Sequence, residues 1–136
     1  MSTVVDFIDQ LKEKYGGVVS FKKICEDEGI TAVKTRLDDG INAFSVVNKS
    51  HKVIVLNEKL SYWQRRDWAF HELWHVLKSA SQSKKEEAKA DLFAALCRIQ
   101  GVREDDTMDS LCERYNVSPK LAKIRMEFER KRLMEG

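Results

Sequence analysis

The spacing of apolar residues changes register twice along this chain, and that alternation narrows the folds open to it. Up to Gly29 the pattern is helical. Val4, Phe7, Ile8, Leu11 and Tyr15 share one face of a helix over residues 4–15, which Gly16 and Gly17 end. Ser20 can cap a second, short helix through Glu28, with Phe21, Ile24 and Cys25 facing inward and Gly29 as its stop. From Ile30 the chain turns β-branched in three runs, Ile30–Leu37, Ile41–Val47 and Lys52–Leu56, separated by Asp-Asp-Gly and Asn-Lys-Ser-His turn chemistry. Helical spacing returns after Ser61, a fitting N-cap for a helix to about Ala80, and Ser83 caps another to about Gln100. Two more helices are expected over 107–115 and 119–134, the second opened by Ser118 and Pro119 as N-cap and first helical residue. The expectation is an α+β fold: a small three-stranded antiparallel sheet against a helical core, closed by a C-terminal helical pair.

A length of 136 residues suits one domain over 1–136, with a core in 1–107 and a helix-turn-helix-like pair in 108–136. Hydrophobic residues make up 43% of the chain and one proline interrupts it, which excludes a disordered protein. No apolar run is long enough to span a membrane, and the first residues lack the basic-then-apolar order of a signal peptide. A cytoplasmic protein is therefore expected. Cys25, Cys97 and Cys112 are widely spaced and odd in number, so they read as reduced thiols rather than a disulfide or thiolate-metal framework.

The chemistry lies in Phe70-His71-Glu72-Leu73-Trp74-His75. Residues four apart on a helix stand one turn above each other, so His71 and His75 can bind one cation from a single face. Glu72 stands beside them, able to hold and deprotonate a water. A surface helix with two chance histidines predicts no acidic ligand downstream, yet the next helix supplies one. Ala88, Leu92, Ala95, Leu96 and Ile99 form its core stripe, and Glu87 and Asp91 line one edge of that stripe. Glu87 can complete a set of three ligands, and Asp91 can accept the other N–H of a ligand histidine and fix its tautomer. Two imidazoles and a carboxylate point to a single zinc ion per chain, and the glutamate base points to hydrolysis rather than oxygen chemistry. Tyr62, Arg65 and Tyr115 are candidates for stabilising an oxyanion; spacing does not choose among them.

The run Ala-Phe-His-Glu-Leu-Trp-His, followed by Glu-Ala-Lys-Ala-Asp-Leu-Phe-Ala-Ala, resembles the ImmA/IrrE metallopeptidases over most of residues 20–100. That resemblance implies a zincin-like core with zinc on His71, His75 and Glu87 and an acid/base at Glu72, as in thermolysin-like enzymes. It also implies a regulatory protease whose substrate is a helix-turn-helix repressor of a mobile element. The chain departs from the family pattern at Trp74, where a glycine is usual, and at Leu96-Cys97-Arg98-Ile99, where Leu-Met-Pro often stands.

Residues 108–136 carry the whole net charge of +2. A functional reading puts Lys120, Lys123 and Arg125 near a nucleic-acid backbone or a repressor. The plainer reading is an amphipathic closing pair, with Leu111, Tyr115, Leu121, Ile124, Met126 and Phe128 over the core, and interleaved acids blunt any phosphate-binding field. The competing functional class is thus a non-catalytic DNA- or repressor-binding module on the same fold. His51 is expected to be a solvated turn residue, Arg65-Arg66-Asp67 a solvated helix face, and Trp63, Trp68 and Trp74 core or cleft wall.

Overall fold

The computed structural model describes residues 3–135; Met1, Ser2 and Gly136, the ends of the expected domain, lie outside the described residues. The elements run α1 (Thr3–Lys14), α2 (Phe21–Glu28), β1 (Ile30–Thr35), β2 (Ala43–Val47), β3 (Lys52–Asn57), α3 (Tyr62–Lys78), α4 (Lys84–Arg98), α5 (Met108–Tyr115) and α6 (Pro119–Glu135). The fold is α+β, and no described helix is long and apolar enough to cross a membrane.

Helix ends follow from their caps. Ser20 accepts the Lys23 amide, and Gly29, at φ +67°, closes α2 in a left-handed turn that a side chain would resist. Ser61 and Gln64 form a reciprocal capping box at α3, and Thr107 and Ser110 form another at α5.

The sheet is mixed rather than antiparallel, with strand order β1-β3-β2. β2 and β3 form the expected antiparallel hairpin, but β1 pairs with β3 in parallel, Ile30 opposite Lys52 and Thr35 opposite Asn57. Burial explains the order. Val53-Ile54-Val55-Leu56 is apolar on both faces, and Ile54, Val55 and Leu56 are all buried, which needs the central position. In β1 only Ile30 is buried; its lysine and threonines suit an edge. Asn57, at the end of β3, is a buried hub: its side chain donates to the Ile41 carbonyl at 2.8 Å and accepts from the Lys59 amide at 3.1 Å. It thereby fixes the chain that leads into α3.

α3 packs on α4 and on β2 and β3, and α4 packs in turn on α1 and α6. Phe7, Phe70, Trp74 and Phe93 meet at the centre of this arrangement, with ring centroids 5.5–6.5 Å apart. Two polar clusters lock the C-terminal pair. Asp67 is buried, accepting from Arg98 Nε at 2.8 Å and from the Ser118 amide at 3.0 Å, so it is a cross-link and not the solvated position expected. The Asp106 side chain, 3% exposed, takes both Arg114 amino groups at 2.6 and 2.7 Å and the Arg103 amide at 2.6 Å. The Arg114 bonds, then the Arg103 amide, hold the Asp106 carboxyl well below the usual carboxylate range.

That shift has a pH signature. A folded-state pKa below the unfolded value stabilises above the unfolded value and loses that contribution as pH falls through the folded one. Asp106→Asn should therefore lower the thermal midpoint at neutral pH, and its difference from wild type should shrink below about pH 4. Thermal unfolding followed by circular dichroism across that range checks it; a difference independent of pH would sink the assignment.

Candidate metal centre

The second half of α3 is the most buried helical stretch of the chain, with Ala69 through Val76 all inaccessible. Within it His71 and His75 stack one turn apart, ring centroids 5.2 Å from each other, and the Trp68 ring lies 5.0 Å from His71. α3 ends at Ser79 in a left-handed conformation, and the short connection to the Ser83 cap turns the chain back so that α4 lies alongside. Glu86 and Glu87 then fall in the first turn of α4, where carboxylates complement the helix dipole.

Across this helix pair, His71 Nε2 lies 2.9 Å from Glu87 Oε2 and His75 Nε2 lies 2.8 Å from Glu87 Oε1. The far side of His71 is equally engaged, its Nδ1 standing 2.8 Å from Asp91 Oδ1. His75 Nδ1 lies 3.4 Å from the Ala80 carbonyl, which can only accept. Both outward nitrogens thus carry the proton, and both Nε2 atoms face the gap. One donor atom each from His71, His75 and Glu87 fall within 4.8 Å of one another, so the three could hold a metal ion together.

The residues fit such an ion. His75 Nε2 and Glu87 Oε1 are buried and close, yet they are not aligned for a hydrogen bond, and neither has any other partner. His71 has carboxyl oxygens at both ring nitrogens, and an ionised carboxylate cannot donate. Only a doubly protonated ring, or a cation in the gap, satisfies that arrangement. Burial disfavours a charged His71, but the Asp91 hydrogen bond and the charges of Asp91, Glu72 and Glu87 outweigh it and raise the ring's pKa. The gap is a place built for positive charge. Burial also works against the Asp91 carboxylate, and its hydrogen bonds to His71 and Lys120 reverse that and lower its pKa.

Glu72 is 4% exposed, and its Oε1 is buried with no hydrogen-bond partner. The oxyanion candidates have other engagements. Arg65 donates to the Glu58 and Leu60 carbonyls, and the Tyr115 hydroxyl bonds both ways with the Gly101 backbone. Tyr62 is exposed, edge-on to Trp63 with centroids 4.8 Å apart.

The family comparison decides what this helix pair belongs to. The IrrE N-terminal-like domain of Peptidase M78 matches residues 25–127. The chain belongs to this peptidase family. Comparisons with curated proteins and with solved structures give no match. The matched span of this IrrE-like domain opens inside α2 and closes inside α6, so it takes in the sheet, both helices of the candidate metal centre and the first half of the terminal helix.

That last inclusion matters, because α6 reaches the site. Lys120 Nζ lies 3.1 Å from Asp91 Oδ2, a contact that periodicity could not reveal. Of the cations considered for nucleic-acid contact, Lys120 is therefore paired and Arg125 is buried, with its Nε on the Ile99 carbonyl at 3.0 Å. Lys123 remains exposed. Trp74 is core at 1% exposure, whereas Trp63 is exposed, and His51 is exposed as expected. The three cysteines are free; burial pushes the Cys25 thiol up to about 11 and raises Cys97 further, which disfavours the thiolate at both.

Proposed function

We propose that this chain is a cytoplasmic zinc-dependent endopeptidase that cleaves a particular protein, with a helix-turn-helix repressor of a mobile element as the substrate class. The carrying observation is the convergence of His71, His75 and Glu87 on one gap, with Glu72, the residue that follows His71, buried and its Oε1 unpartnered. Two imidazoles and a carboxylate suit zinc, and a glutamate adjacent to the first histidine suits hydrolysis. Membership of a peptidase family supports the same class of reaction. The choice of a repressor rests on the ImmA/IrrE resemblance.

Zinc, when bound, supplies a Lewis acid that polarises a peptide carbonyl and acidifies water. The protein's residues do the rest. Asp91 and the Ala80 carbonyl hold the outer protons of His71 and His75, keeping both inner lone pairs on the gap. Glu72 accepts the proton of the attacking water at Oε1 and returns it to the leaving amine. The burial of His71, Glu72 and His75 keeps their charges strong by limiting bulk solvent. Of the two edge strands, β2 is the one against α3, so an extended substrate would add to its free edge, where Phe44, Val46 and Val47 are exposed.

Zinc content is the direct test. Wild-type protein, purified and dialysed against trace zinc, should hold about one ion per chain, and His75→Ala should hold little, because two protein ligands rarely retain this ion. Equal zinc in both proteins by mass spectrometry would refute the ligand set.

A further inference from the structure

We propose that Lys120 is a positioning residue for the metal centre, pinning the carboxylate that orients His71. This rests on the reading of His71, His75 and Glu87 as a zinc site. Asp91 divides its two oxygens: Oδ1 meets His71 Nδ1 at 2.8 Å, and Oδ2 meets Lys120 Nζ at 3.1 Å. With one oxygen bound, a carboxylate can still swing about its terminal torsion; with both bound, it cannot.

The placement of Lys120 argues that this contact is its purpose. It lies in the first turn of α6, where a cation opposes the helix dipole, and that turn carries no acid to offset it. Local helix stability therefore disfavours lysine here, and the compensation comes from another helix. The base from which Lys120 reaches is firm. The Ser118 amide is held by Asp67, Leu121 and Ala122 are buried, and Leu121 lines a hollow of about 170 Å³ with His71, Trp68 and Asp91. α3, α4 and α6 thus meet on one carboxylate.

The Lys120 side chain is 64% exposed, and exposed ion pairs contribute little to folding. Its loss should appear in metal affinity and leave the thermal midpoint of the zinc-free protein in place. Zinc affinity by chelator competition on the full chain tests this, with Lys120→Met, Lys120→Arg, Asp91→Ala and the Lys120→Met/Asp91→Ala double variant. Lys120→Met should weaken zinc about threefold to tenfold, less than the 10–100-fold loss expected for Asp91→Ala. Lys120→Arg should restore most of it, and Lys120→Met should add nothing once Asp91 is alanine. Wild-type affinity in Lys120→Met, or the same loss with and without Asp91, would overturn the role of Lys120 alone. Absence of zinc affinity in the wild type would overturn the metal reading beneath it.

Discussion

Glu72→Gln should retain its zinc while cleavage falls by roughly 10²–10⁴-fold. Glutamine matches glutamate in size, so the packing of a residue only 4% exposed is preserved. What changes is proton affinity: the amide cannot take a proton from water or return it to an amine. Since Glu72 is not in the group of donors that converge on the gap, metal content should not move. The measurement pairs zinc analysis with cleavage of a co-expressed helix-turn-helix repressor, the substrate class proposed above, followed by intact-mass spectrometry. A variant that holds zinc and cuts as fast as wild type would show that the proton is moved by another group.

Phe93→Ala is the substitution expected to cost most in stability, about 3–5 kcal/mol. Phe93 is fully buried and touches rings from α1 and α3, with centroids 5.5 Å to Trp74, 6.0 Å to Phe7 and 6.5 Å to Phe70. The gap left behind is walled by large aromatic side chains that cannot all collapse into it. Urea unfolding gives the number, and a loss below about 1 kcal/mol would mean the rings are not the packed centre. Phe93 sits on α4 near Asp91 and Glu87, so zinc affinity should weaken with stability.

The convergence of His71, His75 and Glu87 was legible in the sequence because its parts are local. Histidines four apart on one helix, and acids four apart on the next, obey the same periodicity that defines the helices. Ser20, Ser61 and Ser83 likewise marked helix starts because a cap depends on the next three residues alone. What could not be read was pairing at a distance. The hairpin of β2 and β3 follows from its turn, but the insertion of β3 beside β1 depends on which strand has two faces to bury. The continuous Val-Ile-Val-Leu run was the available clue. Asp67 looked solvated beside two arginines, and its partners, Arg98 and Ser118, lie far along the chain. Lys120 looked like a free cation for the same reason. Its one visible sign was a lysine in a helix's opening turn.

The connection between α3 and α4 tolerates change unevenly. Ala80 presents its carbonyl to His75, so the chain leaving α3 is held to its path, while Ser81 and Gln82 are exposed at the tip and could accept extra residues. Inside α4 there is no such latitude. One residue inserted between Asp91 and Phe93 would rotate the two halves of the helix by about 100° relative to each other. Glu87 and Asp91 could then face the gap only if Phe93 left the core. Length within that stretch is therefore as constrained as identity, and an insertion there would break the convergence of His71, His75 and Glu87 while leaving all three in the sequence.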